Sequence, residues 1–232
     1  MQMDAFIIAF YGLCGYLVHL MIVKALGISA SPRADGNSDI LLRQALAGAA
    51  AAGANVEYVR LCDLNIAACI ECDLCRKTGR CELEDDYQPL LAKMLGASRL
   101  IFATPIFFMT VPAQAKVLID RCQCLWAHKY VLKKPLITAG SDRRAMVIAV
   151  GGSKSTRMFE PVRMTMKYYL DVLDMNYTAN LFVNNIERLG QIKKHPSAIK
   201  EAFRLGKELI AADPPPPTEP VDVELFSTPD KS

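Results

Sequence analysis

The chain has 232 residues, 52% of them hydrophobic and 22% charged, with a formal net charge of +3. That length suits one α/β domain with extra segments, and the apolar content is enough for a full core. The small net charge, with no long basic run and no aromatic residues interleaved with Lys or Arg, excludes nucleic acid as an expected partner.

In chain order, the first segment, residues 5–23, has no charged residue except where His19 is protonated. It approaches the roughly 20 residues a membrane helix needs. It runs straight into a core strand, however, and lacks both a preceding basic region and an A-x-A cleavage site. Residues 1–21 are therefore expected to be an apolar extension of no functional weight and no membrane anchor, with Met21 as the true start and a weak membrane or packing helix as the alternative.

Residues 22–30 (IVKALGISA) form a buried strand, followed by the turn-rich loop SPRADGN. Asn37 or Ser38 is placed to cap a helix that stops at Gly53. A second strand over 56–61 leads into a cysteine-dense loop, 62–84. A helix over 85–98, a third strand over 99–104 and the loop PIFFMTV follow. Pro112 then opens a helix to about Trp126. Residues 127–143 are basic and irregular. A fourth strand (145–150), a helix (160–173), a fifth strand (177–183) and a last helix (197–212) complete the domain. The tail from Asp213 to residue 232 contains four consecutive prolines and is expected to be disordered.

Five strands alternating with helices predict a doubly wound parallel sheet with helices on both faces, in either the Rossmann or the flavodoxin strand order. Both orders put ligands at the carboxyl ends of the strands, so the loops after strands one, three and four should carry the chemistry. No Walker A motif, GxSxG elbow or HExxH is present, and the three histidines are scattered.

The chain has eight cysteines, four of them within thirteen residues: Cys69, Cys72, Cys75 and Cys81, spaced C-x2-C-x2-C-x5-C. Such crowding makes a poor core segment and points to a metal site in a reducing, cytoplasmic compartment. Three thiolates at successive x2 steps can wrap one face of a cubane cluster and a fourth can close it. Zinc is the rival, since it also favours four thiolates. Arg76, Lys77 and Arg80 either offset the charge of such a site or are solvated surface residues. Cys14, Cys62, Cys122 and Cys124 are expected to be ordinary small apolar residues.

The first loop offers Ser29, Ser31, Arg33, Asn37 and Ser38 at a helix start, a setting suited to one phosphate monoester such as that of FMN. It lacks GxGxxG. The second loop, Thr104, Pro105, Ile106, Phe107, Phe108 and Met109, puts two aromatic residues and a methionine at a strand end, where they can line a flat apolar pocket for an isoalloxazine ring or else plug the core or a subunit interface. Gly151 and Gly152 in the third loop let backbone approach a ring closely.

SASPRADGNS followed by TPIFFMTVPAQAKVLIDR resembles the NADPH-dependent FMN reductase family of the flavodoxin-like superfamily. With the cysteine run between them, residues 22–210 resemble its iron–sulfur flavoprotein branch. The resemblance implies a flavodoxin-like fold, FMN, a [4Fe-4S] cluster on the four cysteines, and a homo-dimer or homo-tetramer in which flavin and cluster meet across subunits. Phe107 stands where an aromatic residue with a hydroxyl is common in that family, so a hydrogen bond from this position to flavin or phosphate is not expected here.

The expected activity is electron transfer through FMN and cluster, with no protein acid, base or nucleophile as a catalytic residue. The donor is a reduced ferredoxin or NAD(P)H; the acceptor is a quinone, an oxygen species or another protein. Two alternatives stand beside it. One is a two-electron NAD(P)H-dependent FMN or quinone reductase with a zinc knuckle. The other is a non-catalytic redox-sensing or interaction module.

Overall fold

A computed structural model describes residues 23–137 and 140–226. The apolar extension before residue 22 lies outside the described residues. Six strands form one parallel sheet: β1 (Lys24–Ser29), β2 (Asn55–Arg60), β3 (Arg99–Pro105), β4 (Arg144–Val150), β5 (Asn176–Val183) and β6 (Val221–Leu225). Their order across the sheet is β2-β1-β3-β4-β5-β6. The first five follow the flavodoxin order, not the Rossmann order.

Every residue of β4 is buried, which explains why it reads as a continuous apolar run. Alternate residues still serve two cores. Ala145, Val147 and Ala149 face one side with Phe102, Tyr87, Met94, Leu118 and Val162. Met146, Ile148 and Val150 face the other with Ile101, Leu41, Leu42, Leu46 and Leu205. Helices α1 (Asn37–Ala51), α2 (Cys75–Thr78), α3 (Tyr87–Gly96), α4 (Ala113–Arg121), α5 (Gln123–Trp126), α6 (Phe159–Val172) and α7 (Ala198–Ile210) complete the fold. On one face α1 and α7 touch so closely that a Cβ at Gly206 would collide with the Ala45 carbonyl.

The sixth strand corrects two expectations: the sheet has six strands, and the segment after residue 212 is ordered through Phe226. VDVEL pairs with β5, Ala179 opposite Val221 and Val183 opposite Leu225. Arg163 forms ion pairs with Asp222 and with Glu224, the latter at 3.2 Å. Asn180 donates to Asp222 at 2.8 Å, and Phe226 stacks on Phe159 at 5.4 Å. The buried Arg144 holds the start of the proline segment through the carbonyls of Ala212 (2.5 Å) and Pro214 (3.0 Å). The helix expected over 112–126 is broken at Cys122 into α4 and α5, and a π-type turn over Ala127–Val131 continues it.

Among the described residues, no helix is long and apolar enough to cross a membrane.

Candidate functional site

The sheet register sets the site. Ser29 lies opposite Ala103, Pro105 opposite Val150, and Val150 opposite Val183. The loops after β1, β3, β4 and β5 therefore leave the sheet side by side. They enclose a cleft lined by Ser31, Pro32, Arg33, Gly36, Asn37, Ser38, Pro105, Ile106, Phe107, Val150, Gly152, Ile186, Glu187 and Leu189.

The structure brings together Ser31, Arg33, Asn37, Ser38, Pro105, Ile106, Phe107 and Gly152 from the expected set. Gly36, not Asn37 or Ser38, is the N-cap of α1, and it caps without a side-chain bond. Ser31 is engaged locally: its Oγ donates to the Arg33 carbonyl at 2.9 Å and accepts the Arg33 amide at 3.2 Å. Asn37 is engaged at long range. Its Nδ2 donates to the Arg188 carbonyl at 2.9 Å and its Oδ1 accepts the Ile192 amide at 3.2 Å. It therefore ties the first loop to the loop after β5. Ser38 is different: its Oγ is buried without a hydrogen-bond partner. The first amides of α1 have no preceding carbonyl within the helix to receive them, so this helix start offers backbone donors, a hydroxyl and a positive dipole end.

Ser29 and Thr104 are fully buried at their strand ends, and Gly151 is buried beside them. None of the three lines the cleft. Phe107, Phe108, Met109 and Thr110 form a tight hairpin, with Phe107 and Thr110 exchanging backbone bonds at 2.9 and 3.0 Å. Both central residues have positive φ, 47° at Phe108 and 68° at Met109. This is the backbone of a hairpin turn that usually takes Asn-Gly. Phe107 forms a cleft wall, while Phe108 projects wholly into solvent and Met109 is half exposed.

The loop after β5 is a fourth wall, beyond the three loops expected to carry the chemistry. Ile186, Glu187 and Leu189 line the cleft beside the start of α1, and the Glu187 carboxylate occupies the space a side chain at Gly152 would need. The only sequence signal was NNIERLG directly after an apolar strand, a turn-like cluster at a carboxyl end.

A second cavity, of about 340 Å³, is ringed by Cys69, Cys72, Cys75 and Cys81, with Cys124, Arg76, Arg80 and Arg121. Residues 65–73 have no helix or strand, and Glu71 and Asp73 adopt positive φ. Burial, then the nearby sulfurs of Cys72 and Cys69, push the Cys75 thiol up. Among the described residues, no three Cys, His, Asp or Glu side chains converge closely enough to hold a metal ion. A compact inserted cluster, expected from the spacing, is therefore not seen: the four thiols surround a cavity instead of meeting at a point. The donor set itself, four thiols on one cavity, matches the chemistry of an iron–sulfur cluster.

Cys122 and Cys124 are buried, as expected of small apolar residues. Cys124 has a polar partner, however: Tyr87 Oη lies 3.2 Å from its sulfur. Burial pushes the Cys122 thiol up to about 12. Arg121, on α4, is the buried arginine among the charged residues that line the cavity. Its Nη1 meets Asp85 at 2.6 Å, and its guanidinium lies 4.6 Å from the centre of the Tyr87 ring. Burial works against that charge, but Asp85 and the Cys81 sulfur outweigh it and keep the guanidinium's pKa raised.

Residues 23–184 match the model of the NADPH-dependent FMN reductase family. An iron-sulfur flavoprotein of Methanocaldococcus jannaschii is 40% identical over 195 residues, covering 81% of this chain and 95% of that protein. An iron-sulfur flavoprotein of Methanosarcina thermophila is 32% identical over 133 residues, covering 57% of this chain and 65% of its own length. Among solved structures, an NAD(P)H:quinone oxidoreductase from Methanothermobacter marburgensis superposes with a TM-score of 0.64 at 18% identity, covering 82% of this chain and 97% of that one; this likeness speaks for the fold alone. The chain belongs to the NADPH-dependent FMN reductase family, groups within it with the iron–sulfur flavoproteins, and is a flavin-dependent oxidoreductase.

Proposed function

We propose that the protein is an electron-transfer oxidoreductase that binds FMN in the cleft at the carboxyl ends of β1, β3, β4 and β5, and a [4Fe-4S] cluster on Cys69, Cys72, Cys75 and Cys81. The observation that carries the reading is that all four cysteines of the C-x2-C-x2-C-x5-C run face one cavity. FMN supplies two-electron acceptance and one-electron release, and the cluster supplies single-electron transfer.

The chain's own residues bind and orient. The start of α1, with its backbone amides and the unpartnered Ser38 hydroxyl, receives the phosphate. Arg33, exposed at the cleft edge, adds positive charge. Ile106 and Phe107 form an apolar wall for the ring. Ser29, Thr104, Phe108, Met109 and Gly151 lie outside that lining, so their contribution is to the shape of the strand ends and of the hairpin. No side chain is assigned as acid, base or nucleophile. NAD(P)H or a reduced ferredoxin is the donor, and a quinone, an oxygen species or a redox protein the acceptor. A homo-dimer or homo-tetramer in the cytoplasm is the assembly proposed.

A second reading has its own observation. Because no three donors converge among the described residues, a two-electron NAD(P)H-dependent FMN or quinone reductase, with the cysteine loop structural or a zinc knuckle, also suits the chain. A Bacillus subtilis relative at 28% identity, over 80% of this chain, is a putative NAD(P)H-dependent FMN-containing oxidoreductase.

Anaerobic purification with an absorption spectrum and counts of iron, sulfide and FMN per chain separates the two. The first reading expects iron, sulfide and FMN together, with Cys72→Ala losing iron and keeping flavin. FMN with zinc, or with no metal after reconstitution, establishes the second. Protein without flavin sinks both.

A further inference from the structure

The cysteine loop has little regular structure, yet both its flanks are held by one side chain. Arg121 Nη1 donates to the Ala67 carbonyl at 2.9 Å and to Asp85 Oδ2 at 2.6 Å, and Nη2 donates to the Leu83 carbonyl at 3.0 Å. Ala67 stands two residues before Cys69, and Leu83 two residues after Cys81. The guanidinium fork thus closes the loop at its base.

The Arg121 side chain is fully buried. Its Nε is also buried and has no hydrogen-bond partner. A buried guanidinium is costly to desolvate, and a buried donor without an acceptor adds to that cost. The Asp85 ion pair, the two carbonyls and the Tyr87 ring face answer the charge, but the Nε–H remains without an acceptor. Arg121 also forms part of the wall of the cavity that the four thiols ring. A multiply anionic, thiolate-ligated group in that cavity would use both the charge and the unused donor.

We propose that Arg121 is the positioning residue of the cysteine cavity: its fork gathers the two flanks of the ligand loop, and its charge and unused Nε–H offset an anionic iron–sulfur cluster. This inference rests on the cluster reading above. Arg121 is not a ligand and touches no reacting atom; it acts through the backbone at Ala67 and Leu83 and through the field in the cavity. Lysine at this position keeps the charge but, as a point donor, cannot span both flanks.

The test compares wild type, Arg121→Lys and Arg121→Gln after anaerobic reconstitution with iron and sulfide. The readouts are FMN per chain, iron per chain, the rate of iron loss to a chelator, and the cluster potential from a redox titration followed by electron paramagnetic resonance. Both variants are expected to keep FMN at the wild-type ratio and to lose iron about tenfold faster, the scale seen when a residue supporting metal ligands is removed. Arg121→Gln, lacking the charge, is also expected to have a more negative cluster potential than Arg121→Lys. Wild-type iron retention and potential in both variants would overturn the inference while leaving the cluster reading intact. Wild type that takes up no iron would overturn the cluster reading itself, and the inference with it. Should both variants lose FMN, Asp85→Asn decides: it leaves Arg121 on its two carbonyls but weakens both the fork and the Ala67 amide bond that Asp85 Oδ2 accepts at 2.9 Å, so faster iron loss with FMN retained supports a clasp at the loop base and unchanged iron retention refutes the inference.

Discussion

The carboxylate of Glu187, in the loop after β5, stands where a side chain on Gly152, in the loop after β4, would have to be. Two loops that are distant in sequence thus share one small space at the cleft edge. Only the absent side chain of Gly152 lets them approach. Gly152→Ala is expected to displace Glu187 and weaken FMN binding by about 1 kcal/mol, the lower end of overpacking costs, because a carboxylate tip is movable. Glu187→Ala in the same chain should relieve the clash, so the double variant binds FMN better than Gly152→Ala alone. Isothermal titration of apoprotein with FMN measures the four corners of this cycle, and simple additivity would sink the contact.

Ser38 offers a sharper separation of binding from folding. Its hydroxyl is buried and unpartnered at the start of α1, where a phosphate would meet it. Ser38→Ala is expected to cost about 1.5–3 kcal/mol of FMN affinity, as for a hydrogen bond to a charged group. The apoprotein should be as stable as wild type or slightly more so, because an unsatisfied buried group has been removed. Titration calorimetry and thermal melts of the flavin-free protein give the two numbers; a less stable apoprotein with unchanged affinity would refute the assignment.

The crossing of α1 and α7 predicts a fold effect away from the site. A Cβ at Gly206 meets the Ala45 carbonyl, which is backbone and cannot rotate aside. Gly206→Ala gains about 1 kcal/mol of helix propensity but forces the helices apart, at a cost of about 2–3 kcal/mol. Urea denaturation is expected to show a net loss of about 1–2 kcal/mol, with FMN per chain unchanged in native conditions.

Asp142 gives the pH dependence. Burial alone would raise its pKa, but Arg144 and Arg99 outweigh burial and hold it below the usual carboxylate range. Its Oδ2 meets Arg99 at 2.7 Å and its Oδ1 meets Arg144 at 2.7 Å. Because the folded pKa is depressed, the stabilisation is fully present above the ordinary carboxylate pKa of about 4 and is lost as pH falls through the lower folded value. Wild type should therefore lose stability below about pH 4 more steeply than Asp142→Asn. Denaturation midpoints across that range test this; parallel acid limbs would refute it.

Much of the fold was legible because its signals are local. Continuous apolar runs such as AMVIAV are what a strand buried on both faces requires, and turn residues at their carboxyl ends marked the ligand side. The first-loop hydroxyls and the four-cysteine spacing were equally plain. The sixth strand was hidden by its setting: a tetraproline stretch reads as extended and unpaired, and the side chains that hold the proline segment and VDVEL in place, Arg144, Arg163, Asn180 and Phe159, are far away in the chain. Asn37 looked like a phosphate donor by position, yet its amide is used by Arg188 and Ile192.

Sequence by itself determined the strand-and-helix alternation, the phosphate-suited helix start and the set of four thiols, because each depends on residues within one turn or one loop. The tertiary structure alone decided that β5's loop lines the cleft, that Phe108 faces solvent, and that Arg121 grips both flanks of the cysteine loop. Those relations depend on which distant carbonyls and carboxylates the sheet order brings within a few ångströms, and neither propensity nor spacing carries that information.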